Sequence, residues 1–205
     1  MTPSEREPPD ADDVSCLREQ LLRLREAEDE RLRRDWNRSL PFGDALFDRW
    51  ERARRLGFGD GASIYDSALV YGEVGVGEQT WIGPYTLLDG SGGGVEIGSY
   101  CSISAGVQIY THDTVMWALS GGRVERRTAA TRIGDRCHIG AMSIVAAGVE
   151  LGTQCVVAAN SFVNRSFPDA TIVGGTPALV LGRVRADGEN IVLDYSEPAN
   201  RPSRS

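Results

Sequence analysis

The sequence predicts a mainly β chain: a parallel β-helix of hexapeptide repeats, with an N-terminal helical segment before it and one extruded loop within it. Three observations carry this. Aliphatic residues recur every six positions from Ile64 onward, a glycine directly follows many of them, and the count fails at one long stretch rich in arginine. A period of six fits neither the 3.6 of a helix nor the 2 of a free strand, and it is a signature of β-helix repeats.

Taken in order, residues 1–13 are polar, acidic and proline-bearing, and are expected to be disordered because they offer no apolar surface to offset the entropy of ordering. Residues 14–60 read as helices. Val14, Leu17, Leu21 and Leu24 fall at three- and four-residue steps among Arg and Glu, an amphipathic pattern running to about Trp36. A second helix is expected after Gly43, with Asp44 capping its first turn and Leu46, Phe47, Trp50, Ala53 and Leu56 as its stripe, ending at Gly57. Packing or subunit contact is the role expected of both.

The β-helix is assigned to residues 61–183. Val76, Ile82 and Leu88 form one run of six-residue steps. Ile97, Ile103, Ile109 and Val115 form a second, and Ile133, Ile139, Val145, Leu151, Val157 and Val163 a third. Glycine follows at Gly77, Gly83, Gly98, Gly134, Gly140 and Gly152, and a small or modest residue stands four after the aliphatic, as at Thr80, Cys101, Ser143 and Ser161. Three hexapeptides close one triangular coil of 18 residues, so positions 18 apart lie one above another. Cys101, Cys137 and Cys155, separated by multiples of 18, are therefore expected in one interior column as small buried groups, without a redox or metal role. The glycine run Asp89–Gly94 is read as a register-shifting turn, since no Lys-Ser/Thr follows it as a phosphate loop requires. Residues 116–132 are read as the extruded loop, and residues 184–205 as a C-terminal tail.

Composition narrows the chemistry. The formal net charge is −7, which argues against a nucleic-acid partner. All 22 basic residues are arginine, so Schiff-base and P-loop lysines are excluded. No run of about 18 apolar residues and no cationic, apolar leader is present, giving the expectation of a cytoplasmic chain without membrane insertion. No metal site is expected from the cysteine spacing. Of the two histidines, His112 stands where the repeat breaks, facing outward at the mouth of the loop, and is the candidate general base. His138, in unbroken repeats, is read as a packing or groove residue. Asp113 is the candidate to orient the ring; local backbone bonding is its alternative role.

The segments Val95-Glu96-Ile97-Gly98, Ala105-Gly106-Val107-Gln108-Ile109-Tyr110-Thr111-His112, His138-Ile139-Gly140-Ala141 and Gly174-Gly175-Thr176-Pro177-Ala178 resemble the hexapeptide-repeat acetyltransferases. The likeness is greatest to the maltose, galactoside and nodulation-factor sugar O-acetyltransferases, and it spans residues 64–183. This resemblance implies a left-handed coil, a homotrimer with active sites between subunits, and acetyl-CoA as co-substrate. Ala141 and Ala159 fall where the family contacts coenzyme A, Asn164-Arg165 matches its Thr-Lys pair near the pyrophosphate, and Thr176 lies in its terminal signature. Arg165 has a solvated surface side chain as its alternative reading. Leu179 stands where the family commonly has a basic residue, which turns attention to Arg183 or Arg185. On the acceptor side Asp89 matches the family's aspartate. Pro84 and Tyr85 occupy the neighbourhood of its substrate asparagine, so Tyr85 joins the acceptor candidates with Trp117 of the loop.

The function expected is acetyl transfer from acetyl-CoA to a hydroxyl of a sugar or glycoside. An unperturbed imidazole, with a pKa of about 6.5, is mostly neutral at pH 7 and able to take the hydroxyl proton. The alternatives are N-acetylation of an amino sugar, nucleotide sugar or antibiotic, a non-catalytic assembly module, and a zinc-dependent γ-carbonic-anhydrase-like enzyme. The last needs three histidine ligands, and the chain has two.

Overall fold

The computed structural model describes residues 10–188 and 190–195. It divides into two units, residues 1–47 and 48–205. In the first, helix α1 spans Ala11–Trp36 and α2 spans Phe42–Leu46. Helix α1 begins ahead of the expected start because the Asp10 carboxylate accepts from the Asp12 amide and Asp12 and Asp13 sit in the first turn, where the helix dipole favours acids. The part of the expected disordered segment before Asp10 lies outside the described residues. Leu32 and Ala45 are buried, whereas Val14, Leu17, Leu21 and Leu24 are exposed.

The second expected helix is two helices. Phe47 is extended, and α3, Arg49–Arg55, starts afresh with Asp48 as its cap, accepting from the Glu51 amide at 2.7 Å. Asp44, expected to cap, lies inside α2. Helix α3 closes the first end of the β-helix. Ala53 and Phe58 join its core, and the Arg52 guanidinium donates to the carbonyls of Tyr65 and Ala68.

Three faces make up the β-helix. The first face stacks Ser63–Ile64, Trp81–Ile82, Ser102–Ile103, His138–Ile139, Val156–Val157 and Thr171–Gly174 in parallel register. Strands Leu69–Val76 and Leu87–Ile97 each run from the second face into the third; Gln108–Tyr110, Ile144–Val145 and Phe162–Val163 continue the second, and Thr131–Ile133 and Glu150–Leu151 the third. Every aliphatic of the six-residue count except Val115 is buried, each at 8 % exposure or less. Each contributes roughly 1.5–3 kcal/mol of burial before entropy is charged. Val115 is 58 % exposed because the chain has already left the coil at Tyr110.

The corners explain the rest of the motif. The residue three after the aliphatic takes a positive φ, as at Gln79, Tyr100, Met142 and Gln154, which turns the chain toward the next face. The glycine directly after the aliphatic is required by close approach: a Cβ on Gly98 or Gly140 would run into the backbone of the coil below. Cys101, Cys137 and Cys155 do form one buried column, in which the Cys137 and Cys155 amides donate to the Sγ of Cys101 and Cys137 at 3.4 and 3.3 Å. Cys101 and Cys137 are neighbours in it although 36 residues separate them, since the loop accounts for the surplus.

Three further expectations are corrected. Asp89–Gly94 is no turn: it lies within the continuous strand Leu87–Ile97, where it adds three residues to the coil, so that Ile82 pairs with Ile103. The bounds of the extruded loop shift, since the coil is left after Tyr110 and resumes at Thr131, and the loop carries helix α4, Val115–Leu119, and the strand Arg127–Thr128. Residues 184–194 are no tail. Leu179–Asp187 turns back antiparallel on Thr171–Gly174 and pairs with Asn190–Asp194, covering the last coil's open edge. No helix among the described residues is long and apolar enough to cross a membrane.

Candidate active site

His112 stands at the neck of the loop. With Asp113 it forms a short strand antiparallel to Arg127–Thr128, His112 opposite Thr128, and its side chain is 21 % exposed. Asp89 arrives at the same place from the preceding coil, because the register sets it beside Tyr110. Its carboxylate is almost wholly buried. Oδ1 accepts from the Ser91 amide at 3.1 Å and the Ser91 hydroxyl at 2.6 Å, and Oδ2 lies 3.5 Å from Nδ1 of His112. That Nδ1 is buried and has no hydrogen-bond partner among the described residues. At 3.5 Å the approach is longer than a good hydrogen bond, and catalytic pairs commonly tighten only around substrate. The accessible part of the ring lies on its other atoms, Nε2 among them.

Thr111, fully buried, stitches the two segments together: its hydroxyl donates to the Asp89 carbonyl at 2.6 Å and accepts from the Gly92 amide at 2.8 Å. Gly92 is needed there, since a Cβ would strike the Thr111 carbonyl and come within 2.8 Å of the His112 Cβ. The glycine run is thus the means by which a strand lies flush against the histidine segment. Burial, and then the Asp89 charge, push the Tyr110 phenol above its ordinary pKa.

Asp113 is occupied elsewhere. Its Oδ1 accepts from the Val115 amide at 3.2 Å and its Oδ2 lies 4.0 Å from Arg127 Nη1, so it braces the loop while Asp89 adjoins the ring. Trp117 is exposed on α4. Tyr85 is exposed at the corner between the first and second faces, whereas the loop issues between the second and third. His138 is exposed on the outer side of the first face.

The corner that carries Tyr85 also carries Ala141 and Ala159, whose stacking is fixed by the Asn160 amide donating to the Ala141 carbonyl at 2.8 Å. Thr176 reaches it too, its hydroxyl 3.5 Å from the Asn160 carbonyl. Here the amides of Ala105, Ala141 and Ala159 have no hydrogen-bond partner among the described residues. At the corner between the third and first faces the equivalent amides of Ser99 and Thr153 are each closed by an aspartate, Asp135 and Asp169, at 2.8 Å. One corner therefore presents open donors and another does not. Asn164 and Arg165 are exposed between the second and third faces, with the Arg165 guanidinium 5.2 Å from the Phe167 ring centroid. Arg183 donates to the Asp169 carbonyl and to Thr171, and Arg185 pairs with Asp194 at 2.7 Å, so both are engaged by the fold.

A groove of about 980 Å³ runs along the third face and contains none of these candidates; of its charged lining residues, Arg132 pairs with both Glu96 and Glu150. No cluster of three metal-ligating side chains occurs among the described residues. Sequence reading missed Ser91 and Thr111. The signal for Ser91 was present in Asp89-Gly-Ser91, a spacing at which an aspartate bonds the residue two positions on.

Residues 130–165 match the family described as the hexapeptide repeat of succinyl-transferase. Over 109 residues the chain is 33 % identical to protein CapG of Staphylococcus aureus, covering 52 % of this chain and 63 % of that one. Over 57 residues it is 37 % identical to YvoF of Bacillus subtilis, covering 28 % and 33 %. It thus spans less than two thirds of the length of either curated relative. The crystal structure of the hexapeptide-repeat containing acetyltransferase VCA0836 from Vibrio cholerae is 30 % identical, with 80 % of this chain and 92 % of that one covered at a TM-score of 0.60. The chain belongs to the hexapeptide-repeat acetyltransferase family. An acetyl coenzyme A complex of VCA0836 matches at 26 % identity over 89 % of this chain and 94 % of that one, TM-score 0.60. A variant of AntD, an N-acyltransferase from Bacillus cereus in complex with dTDP and coenzyme A, matches at 28 % identity over 62 % and 72 %, TM-score 0.57. The match to the hexapeptide-repeat family description falls on the regular coils, and His112 and Asp89 lie outside it.

Proposed function

We propose that the chain is an acetyl-CoA-dependent acyltransferase that acetylates a hydroxyl of a sugar or glycoside, with His112 as general base. The observation that carries this reading is the buried Asp89 carboxylate beside Nδ1 of a ring whose remaining edge is accessible. Acetyl-CoA supplies the activated acyl group as a thioester. Nε2 of His112 takes the acceptor's proton as its oxygen attacks the thioester carbonyl, and returns that proton to the departing thiol. Asp89 stabilises the imidazolium formed between those events, and Asp113 holds the loop.

The corner of Ala105, Ala141 and Ala159 suits the pantetheine arm, because its open amides match the arm's carbonyl oxygens and its small side chains let the arm lie close. Thr176 would extend that contact, and Arg165, less committed to the fold than Arg183, would meet the phosphates. Homotrimer assembly is supported by the second face, whose outer side aligns Leu69, Leu87, Gln108, Ile144 and Phe162, four of the five apolar and Leu69 50 % exposed. Tyr85, Asp89 and Trp117 would bind the acceptor in a crevice between protomers. We place the enzyme in the cytoplasm, where its four free cysteines stay reduced.

N-acylation of a nucleotide-linked amino sugar is the second reading. It is favoured by the likeness to AntD and by Arg126, whose Nη2 donates to the Ser91 carbonyl at 3.3 Å and so sets a guanidinium beside the Asp89 site. Thiol release from acetyl-CoA, screened against neutral sugars, nucleotide sugars and aminoglycosides, separates the two. With the acceptor so found, His112→Ala should lower turnover by at least about 100-fold while assembly and coenzyme binding persist. Near-normal turnover would remove the base assignment.

A further inference from the structure

We propose that Ser91 is a positioning residue: it occupies one oxygen of Asp89 with two donors, leaves the other to Nδ1 of His112, and so decides which ring nitrogen holds the lone pair. This rests on the reading of His112 as the base. A neutral imidazole has one N–H and one bare nitrogen, and the partner of one nitrogen fixes the state of the other. An ionised carboxylate only accepts, so Oδ2 beside Nδ1 selects the Nδ1–H form and leaves Nε2 bare, toward the accessible edge of the ring.

Asp89 by itself does not guarantee that arrangement. The terminal torsion of an aspartate is broad, so the carboxylate plane can turn until neither oxygen is directed at the ring unless something holds it. Ser91 holds it, since its hydroxyl at 2.6 Å and its amide at 3.1 Å both fall on Oδ1 and so fix the plane in which Oδ2 faces the ring, at 3.5 Å. Thr111 keeps the backbones in place by bonding the Asp89 carbonyl and the Gly92 amide. From the loop side Arg126 donates to the Ser91 carbonyl, which ties the loop to the same residue.

The chain has two histidines, so the ring nitrogens can be read directly by NMR of the full-length protein labelled with ¹⁵N-histidine, without any acceptor. His112→Ala identifies the signals, and the exposed His138 serves as internal reference. With the ring neutral, His112 of the native protein should show a protonated Nδ1 and a bare Nε2. Ser91→Ala should lose this single pattern and give averaged shifts at both nitrogens with the His138 signals unmoved, and Ser91→Thr, which keeps the hydroxyl, should restore it. A native pattern in Ser91→Ala overturns the role of Ser91 and leaves the base reading standing. A bare Nδ1 in the native protein overturns both.

Discussion

The coils below His138 and those above it are built to the same pitch from different lengths of chain. In the lower region Ile139 pairs with Val157 and Val145 with Val163, 18 residues on. In the upper region Leu88 pairs with Ile109, 21 on, and Ile109 with Val145, 36 on, yet the stacking is unbroken. Both surpluses leave at one corner, between the second and third faces, in consecutive coils. That coincidence brings Asp89 against His112. The regular region supplies a rigid column of aliphatic side chains, and the interrupted region uses the same column as a base from which to project polar groups.

The contrast can be broken most severely at the loop. Replacing residues 116–126 with a short Gly-Ser link should leave circular dichroism and the unfolding midpoint nearly unchanged while lowering turnover on the order of 100-fold, because the acceptor loses its alignment. A loss of folded β signal instead would show that the interruption supports the coil. In the regular region Ile139→Ala should do the opposite. It removes a fully buried side chain and should cost about 2–5 kcal/mol in denaturant unfolding, with turnover per folded molecule within about two-fold of normal. The smallest effect is expected at Asp113→Asn, which loosens an exposed pair with Arg127 worth roughly 0–1 kcal/mol and should leave the pH–rate profile in place. A large fall in turnover there would return the orienting role to Asp113.

Much of the fold was legible because a solenoid writes itself locally: every coil repeats one steric problem, and Ile, Gly and a small residue answer it at fixed offsets. The site was legible in part. His112 stood out as a histidine at a break, but the choice between Asp89 and Asp113 as its neighbour depends on register, and chain proximity favoured Asp113. Likewise the glycines of Asp89–Gly94 read as a turn, because sequence shows their freedom and not the Thr111 carbonyl and His112 Cβ that leave no room for a side chain at Gly92.

The sequence by itself determined the six-residue period, the inward column, the burial of the three cysteines and the place where the repeat gives way, all of which follow from short-range sterics and hydrophobic spacing. Only the tertiary structure decided that two separate surpluses emerge at one corner, that Ser91 and Thr111 join Asp89 to the His112 segment, and that the last strands fold back on the coil. Those depend on which residues of different coils come to lie side by side, a distance that spacing along the chain does not encode.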